Sequence, residues 1–172
     1  MTTLVTGASG FVGQHVRHNM EAVPLELGGR RVDLREPDRV LEAVRRIRPG
    51  RVLHLAAQSH VPTSFADPEG TFEINFWGTL NLLRGLKATG FRGTMLYVGS
   101  GDAYGLVPAQ ALPIREEQPL RPRNPYAVSK VAAEALCYQW SQTEGLRVVM
   151  ARPFNHVGPG QRPDFVVAQL AR

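Results

Sequence analysis

The 172-residue sequence predicts an α/β fold, a doubly wound parallel sheet of six strands or so with helices on its faces. Three observations predict it. A β-branched run at residues 2–6 leads directly into a glycine-spaced turn and an amphipathic segment. Short apolar runs then alternate with longer amphipathic stretches along the chain. No internal repeat, low-complexity tract or change of composition breaks that alternation, so residues 1–172 read as one domain.

The elements follow in order. Residues 2–6 form the first strand, and residues 11–21 the first helix after the glycine turn. Residues 23–27 suit a second strand and residues 31–33 a short third. Residues 37–47 are helical, stopped by Pro49-Gly50. Residues 51–56 are a nearly continuous apolar strand. Asp67 and Pro68 are an N-cap and first-turn proline for a long helix over 68–89. Residues 94–99 give the next strand, and the proline-rich stretch 106–123 a long functional loop. Asn124-Pro125 opens a helix over 125–145, residues 147–152 form a last strand, and a terminal helix starts near Pro163.

Composition excludes several classes. The apolar and charged fractions are those of a globular protein, and no apolar run is long enough to cross a bilayer. The first ten residues lack the basic start and apolar stretch of a secretory signal, so a cytoplasmic location is expected. The single cysteine, Cys137, can make neither an internal disulfide nor a cysteine-based zinc site. His15 and His18 lack carboxylate or cysteine partners, so no metal site is expected. The formal charge of +5 comes from scattered arginines without a nucleic-acid-binding motif, so it reads as a solvated surface and no nucleic-acid partner is expected. Only Lys87 and Lys130 are lysines among the 20 Lys and Arg residues. A lysine in so arginine-rich a chain marks a place where a planar guanidinium would not serve.

The chemistry begins at Thr6-Gly7-Ala8-Ser9-Gly10-Phe11-Val12-Gly13, between strand and helix. Gly7 permits the tight turn, Gly10 lets backbone approach a pyrophosphate, and Gly13 lets the helix pack closely on the sheet. The helix start at Phe11 and Val12 presents unpaired N–H groups to phosphates. That is the Rossmann manner of holding a dinucleotide. Tyr126 and Lys130, four apart on one helix, lie on the same face. A free tyrosine titrates near 10, about three units too high for a proton carrier at neutrality. A neighbouring ammonium is expected to lower that value.

The glycine spacing resembles that of the extended short-chain dehydrogenase/reductase family, and the rest of the chain resembles it in order. The resemblance implies that Asp33 and Leu34 lie at the adenine, and that Leu55, Ala56 and Ala57 let the cofactor lie flat across the sheet. It further implies that Asn75 is the active-site asparagine and Ser100, in Gly99-Ser100-Gly101-Asp102, the catalytic hydroxyl. Tyr126 and Lys130 complete the set, with Lys130 also reaching the nicotinamide ribose. Of other histidines, His54 is expected simply to pack at a strand end. Trp77 and Trp140 are expected in the core or an interface.

Within that family, Arg152-Pro153-Phe154-Asn155-His156-Val157-Gly158-Pro159-Gly160-Gln161, followed by Asp164-Phe165, resembles the reductases of GDP-linked 4-keto-6-deoxymannose that make GDP-rhamnose. The resemblance implies Asn155 at the nucleotide sugar, Pro153 and His156 on the cofactor side, and Asp102 at a sugar hydroxyl. The stretch Ala56-Ala57-Gln58-Ser59-His60-Val61 is instead similar to GDP-mannose 4,6-dehydratases. Dehydration needs both a base and an acid, and the resemblance puts them at positions that Gly101 and Asp102 hold in this chain. One carboxylate favours carbonyl reduction over dehydration or epimerisation. Arg30, after Gly28-Gly29, can receive a 2′-phosphate, so NADP(H) is the expected cofactor, with NAD(H) the alternative. The family's length implies that a C-terminal nucleotide-sugar-binding portion is absent from these residues, leaving a cofactor-binding module without turnover as the competing reading. The family also implies a homodimer through the helices at 68–89 and 125–145.

Overall fold

A computed structural model describes residues 1–163 and 165–170. Strand β1 (Thr3–Thr6) is fully buried and passes through the glycine turn into α1 (Phe11–Asn19). Strand β2 (Val23–Pro24) pairs parallel to β1 along the edge of the sheet, where a proline lacking an N–H is tolerated. The expected strand over 23–27 breaks at Leu25. Its continuation, β3 (Glu26–Leu27), pairs antiparallel with β4 (Arg30–Arg31) in a separate hairpin. Gly28 and Gly29, with φ of 56° and 74°, make the two-residue turn that this hairpin requires. The segment expected as a third strand of the sheet is thus diverted, and the parallel sheet has five strands.

Helix α2 (Pro37–Ile47) precedes β5 (Arg51–His54). A short helix that the sequence pattern hid, α3 (Val61–Ala66), comes before the Asp67 cap, whose carboxylate accepts from Gly70 N at 2.9 Å. The long helix then runs as α4 (Pro68–Phe72), a π-turn over Glu73–Trp77, and α5 (Gly78–Ala88). Strand β6 (Thr94–Val98) is followed by a 3₁₀ turn over Gly101–Tyr104 and the expected long loop. Asn124 caps α6 (Pro125–Thr143) by accepting from Ala127 N at 2.7 Å; then come β7 (Arg147–Ala151) and α7 (Val166–Leu170).

The strand order is β2-β1-β5-β6-β7, all parallel. The chain leaves β1 in one direction and returns to β5 on its other side, so the crevice beyond the carboxyl ends of β1 and β5 is the topological switch point. The core lies between the sheet and α2, α5 and α6. Leu4, Val52, Met95 and Tyr97 from the strands meet Val40, Val44, Leu82, Leu83, Leu86 and Cys137 there. Each of these helices therefore has one face fixed by burial, and the residues at its amino end are aimed at the carboxyl edge of the sheet.

Candidate active site

The glycine turn closes on the end of β5. A Cβ at Gly7, where φ is 69°, would stand 2.7 Å from Ala56 N, and one at Gly13 would stand 2.2 Å from the Gly7 carbonyl oxygen. Only glycine lets these backbones meet. Gly10 N donates to Gly7 O at 2.9 Å, directly before α1 begins with Phe11 and Val12. Beside it a cleft of about 180 Å³ is lined by Gly7, Ala8, Ser9, Arg17, Glu26, Arg31, Leu34 and Ala56, among others.

Arg30 is not part of that lining. Adjacent residues of a strand point to opposite faces, and the hairpin sets Arg30 opposite Leu27 and Arg31 opposite Glu26. Of the two hairpin arginines, the one at the cleft is Arg31, whose Nη1 donates to Ser9 Oγ at 2.8 Å; Arg17, from α1, also lines it. Asp33 faces Arg35, which donates to its carboxylate from Nε at 3.1 Å and from Nη2 at 2.7 Å and holds it below the ordinary carboxylate range. Leu55 and Ala57 follow β5, half-buried, without lining the cleft.

Ser100 leaves the end of β6 and caps the 3₁₀ turn, its Oγ accepting from Asp102 N at 3.2 Å. Tyr126 stands in the first turn of α6 beside it. Burial pushes the Tyr126 phenol above its ordinary value; a hydrogen bond with the Ser100 side chain opposes the rise, and the Asp102 charge adds to it. Lys130, one turn on, is buried, and its Nζ lies 4.8 Å from the centre of the Tyr97 ring. Burial brings Lys130 down to about 8, against the opposing influence of Cys137 and Glu134. The expectation that Lys130 lowers Tyr126 therefore fails in this structure. The ammonium is seated on another ring, and burial governs the phenol.

Asn75 occupies the π-turn, the kind of helix irregularity that frequently accompanies functional sites. Its amide ties two parts of the site together: Oδ1 accepts from Gln58 N at 2.8 Å, and Nδ2 donates to Gln58 O at 3.0 Å and Ser129 Oγ at 2.9 Å. Ser129 Oγ donates in turn to the Tyr126 carbonyl at 2.7 Å. Gln58, Ser129 and Tyr97 carry no mark of this role in the sequence, although Ser129 lies between Tyr126 and Lys130 and Gln58 follows the paired alanines.

Beyond β7, the Pro153 carbonyl accepts from Gly101 N at 2.8 Å, Asn155 is exposed, and His156 stacks on Phe11 with centroids 6.2 Å apart. The chain thus passes back over the start of α1. Asp164 lies outside the described residues. Arg152 and Glu134 form a largely buried ion pair, with Nε 2.9 Å from Oε2, and Arg152 Nη1 also donates to Tyr104 OH at 2.8 Å. Sequence reasoning missed this pair, whose members belong to different elements. Trp77 is half exposed, and Trp140 packs against the core. Among the described residues no cluster of His, Cys, Asp and Glu could hold a metal ion, and no helix is long and apolar enough to cross a membrane.

A parallel sheet with a glycine turn at its switch point, and Ser100 beside Tyr126 beyond β6, defines a Rossmann-type domain of the extended short-chain dehydrogenase/reductase fold. More narrowly, the chain belongs to the GDP-mannose 4,6 dehydratase family, whose model matches residues 22–172. It is 54% identical to the GDP-6-deoxy-D-mannose reductase of Pseudomonas aeruginosa over 98% of this chain and 56% of that protein. It is 35% identical to the GDP-mannose 4,6-dehydratase of Yersinia enterocolitica over 81% of this chain and 38% of that one. Among solved structures, it matches the RMD protein of Pseudomonas aeruginosa complexed with NADPH, with a TM-score of 0.91 and 52% identity over 99% of this chain and 59% of that chain. The UDP-glucose 4-epimerase of Thermus thermophilus in complex with NAD gives a TM-score of 0.88 at 35% identity over 99% of this chain and 60% of that chain. The chain spans between 38% and 60% of the length of these proteins.

Proposed function

We propose that this domain serves the NADPH-dependent reduction of the 4-keto group of GDP-4-keto-6-deoxymannose to GDP-rhamnose. One observation carries reduction over dehydration: a single carboxylate, Asp102, stands beside Ser100, and the neighbouring position is closed. A Cβ at Gly101 would lie 2.7 Å from the Phe154 ring. A second acid cannot be seated there without moving that ring, and elimination of water needs two proton-handling groups. The 54% identity to a reductase supports the same choice.

The cleft fits a dinucleotide. Its walls are the backbone of the Gly7–Ser9 turn, held against Ala56 where only glycine fits at position 7, and the Arg31–Ser9 pair for a phosphate; α1 begins just beyond that turn. When bound, reduced nicotinamide supplies the hydride. Ser100 orients the carbonyl oxygen, and Tyr126 gives its proton to the developing alkoxide. Lys130, seated on Tyr97, would hold the nicotinamide ribose, and Asn75 fixes the carbonyl of Tyr126 through Ser129. Asp102 holds a sugar hydroxyl and Asn155 contacts the nucleotide sugar, while Gly7, Gly10, Phe11, Val12, Gly13, Ala56, Pro153 and His156 line the cofactor's path. The protein acts in the cytoplasm as a homodimer through the helices at 68–89 and 125–145, on which Trp77, Val128 and Tyr138 are exposed.

The test incubates the chain with NADPH and GDP-4-keto-6-deoxymannose, follows loss of NADPH absorbance, and identifies the sugar by NMR. GDP-rhamnose formation that disappears in Tyr126→Phe upholds the proposal. Consumption of GDP-mannose instead establishes the dehydratase reading, which the family match supports. NADPH binding without turnover of either sugar establishes a cofactor-binding module, the reading that the 56% coverage of the reductase supports.

A further inference from the structure

His54 sits where the cleft meets the catalytic helices, and its hydrogen bonds fix its tautomer. It is 2% exposed, with Thr6 Oγ1 2.6 Å from Nδ1 and Thr79 Oγ1 2.9 Å from Nε2. The Thr79 hydroxyl has one proton, and that proton goes to the Asn75 carbonyl at 2.6 Å, which can only accept. Thr79 must therefore accept from His54, which places the ring proton on Nε2. Nδ1 is then an acceptor, and Thr6 donates to it. Thr6 in turn accepts from Ala56 N at 3.1 Å. Every donor points the same way: Ala56 to Thr6 to His54, then His54 to Thr79 to the Asn75 carbonyl. From the Asn75 side chain the sequence runs on through Ser129 to the carbonyl of Tyr126.

Such a one-directional chain polarises each member in turn, so that displacement at one end is felt at the other. Its first members, Thr6 and Ala56, line the dinucleotide cleft. Its last holds the first turn of the catalytic helix. The opposite tautomer would leave a threonine proton buried without an acceptor, at a cost of the full desolvation of that group.

We propose that His54 is a positioning residue that couples occupancy of the cleft to the setting of Asn75 and Tyr126, acting only as its Nε2–H tautomer. The coupling rests on the reading of the cleft as a dinucleotide site.

The test uses ¹⁵N NMR of the labelled chain with adenosine 2′,5′-bisphosphate, which fills the adenosine end of the cleft but lacks the nicotinamide half and so cannot touch Asn75. His54 is expected to give the pattern of a ring protonated at Nε2 alone, and the Asn75 side-chain amide to shift as the fragment binds. Thr79→Val should abolish that shift while changing fragment affinity less than twofold, and Thr79→Ser should restore it. An Nδ1–H ring, an unmoved Asn75 in the parent chain, or an undiminished response in Thr79→Val overturns the proposal. Should Thr79→Val not fold, the parent tautomer and the parent Asn75 response still decide. Failure of the fragment to bind at all sinks the cofactor reading and the coupling with it, and is distinguished by calorimetry from binding without response.

Discussion

Lys130 points its ammonium at the face of Tyr97, 4.8 Å from the ring centre, and the Tyr97 hydroxyl donates to the Lys130 carbonyl at 3.1 Å. The strand before Ser100 therefore supplies a resting seat for the lysine. The ring face offsets part of the cost of burying a cation, but Lys130 still titrates near 8 because burial dominates. In the unfolded chain it titrates near 10.4. Between those values the unfolded state binds more protons, so this group makes the protein more stable as pH rises through the interval.

The consequence is a stabilising loss of function. Lys130→Met is expected to raise unfolding stability by about 2 kcal/mol at pH 7, and by much less at pH 10, where the native lysine is already neutral. The same variant should lose NADPH affinity. Urea unfolding at the two pH values checks the first part and calorimetry the second; equal stability changes at both would refute the burial argument.

His54 gives the opposite end of the pH scale. Burial first, and then the Lys130 charge, depress it to about 3. The unfolded imidazole titrates near 6.5, so stability is complete above that value and declines as pH falls toward the folded one. From pH 7 to pH 5 this group alone should remove about 2 kcal/mol. Parent and His54→Gln, unfolded in urea at both values, should differ in slope: the parent loses that amount more than the variant. Parallel losses would mean that some other group is responsible.

The frame of this site is readable in the sequence because it rests on local rules. A turn that needs Gly7 and Gly13, caps at Asp67 and Asn124, and a Tyr-Lys spacing of four all leave marks within a few residues. What escapes are relationships between elements far apart in the chain. His54 reads as a residue that only packs, yet its partners are 48 and 25 residues away. The sequence points to Arg30 rather than Arg31 because nothing short of the β3–β4 register says which of two adjacent arginines faces the cleft. The effect of Lys130 on Tyr126 is misjudged because the competing ring, Tyr97, comes from another strand. A histidine in an otherwise apolar strand is the one mark that could warn of the buried chain.

Arg152 and Glu134 tie the end of β7 to the middle of α6, with side chains only 19% and 11% exposed. Removing one partner leaves the other charge buried and unmatched, which costs about 3 kcal/mol. Glu134→Leu is therefore expected to lower the melting temperature by several degrees, while Glu134→Leu combined with Arg152→Met recovers most of that loss. A double variant no better than the single would show that the pair is needed for the fold itself, since Arg152 also holds Tyr104 and the Glu116 carbonyl.

Cofactor choice turns on which of the two hairpin arginines reaches the cleft, beside Arg17 of α1. Arg31 and Ser9 already share a hydrogen bond at its mouth, in position to close on a 2′-phosphate. Glu26, on the paired strand, also lines the cleft and repels that group. The arginine must outweigh it for NADPH to be preferred. A charge-assisted bond to phosphate at an exposed site is worth about 1.5 kcal/mol, roughly tenfold in affinity. Arg31→Ala should therefore weaken NADPH about tenfold and leave NADH unchanged. Arg30→Ala should weaken neither by more than about twofold, and raising salt should shrink the Arg31 effect, as it does for any exposed charge pair. Calorimetric titration of both cofactors into the three proteins decides; if Arg30→Ala alone loses NADPH, the pairing of Arg31 with Glu26 across the hairpin does not persist in the cofactor-bound protein.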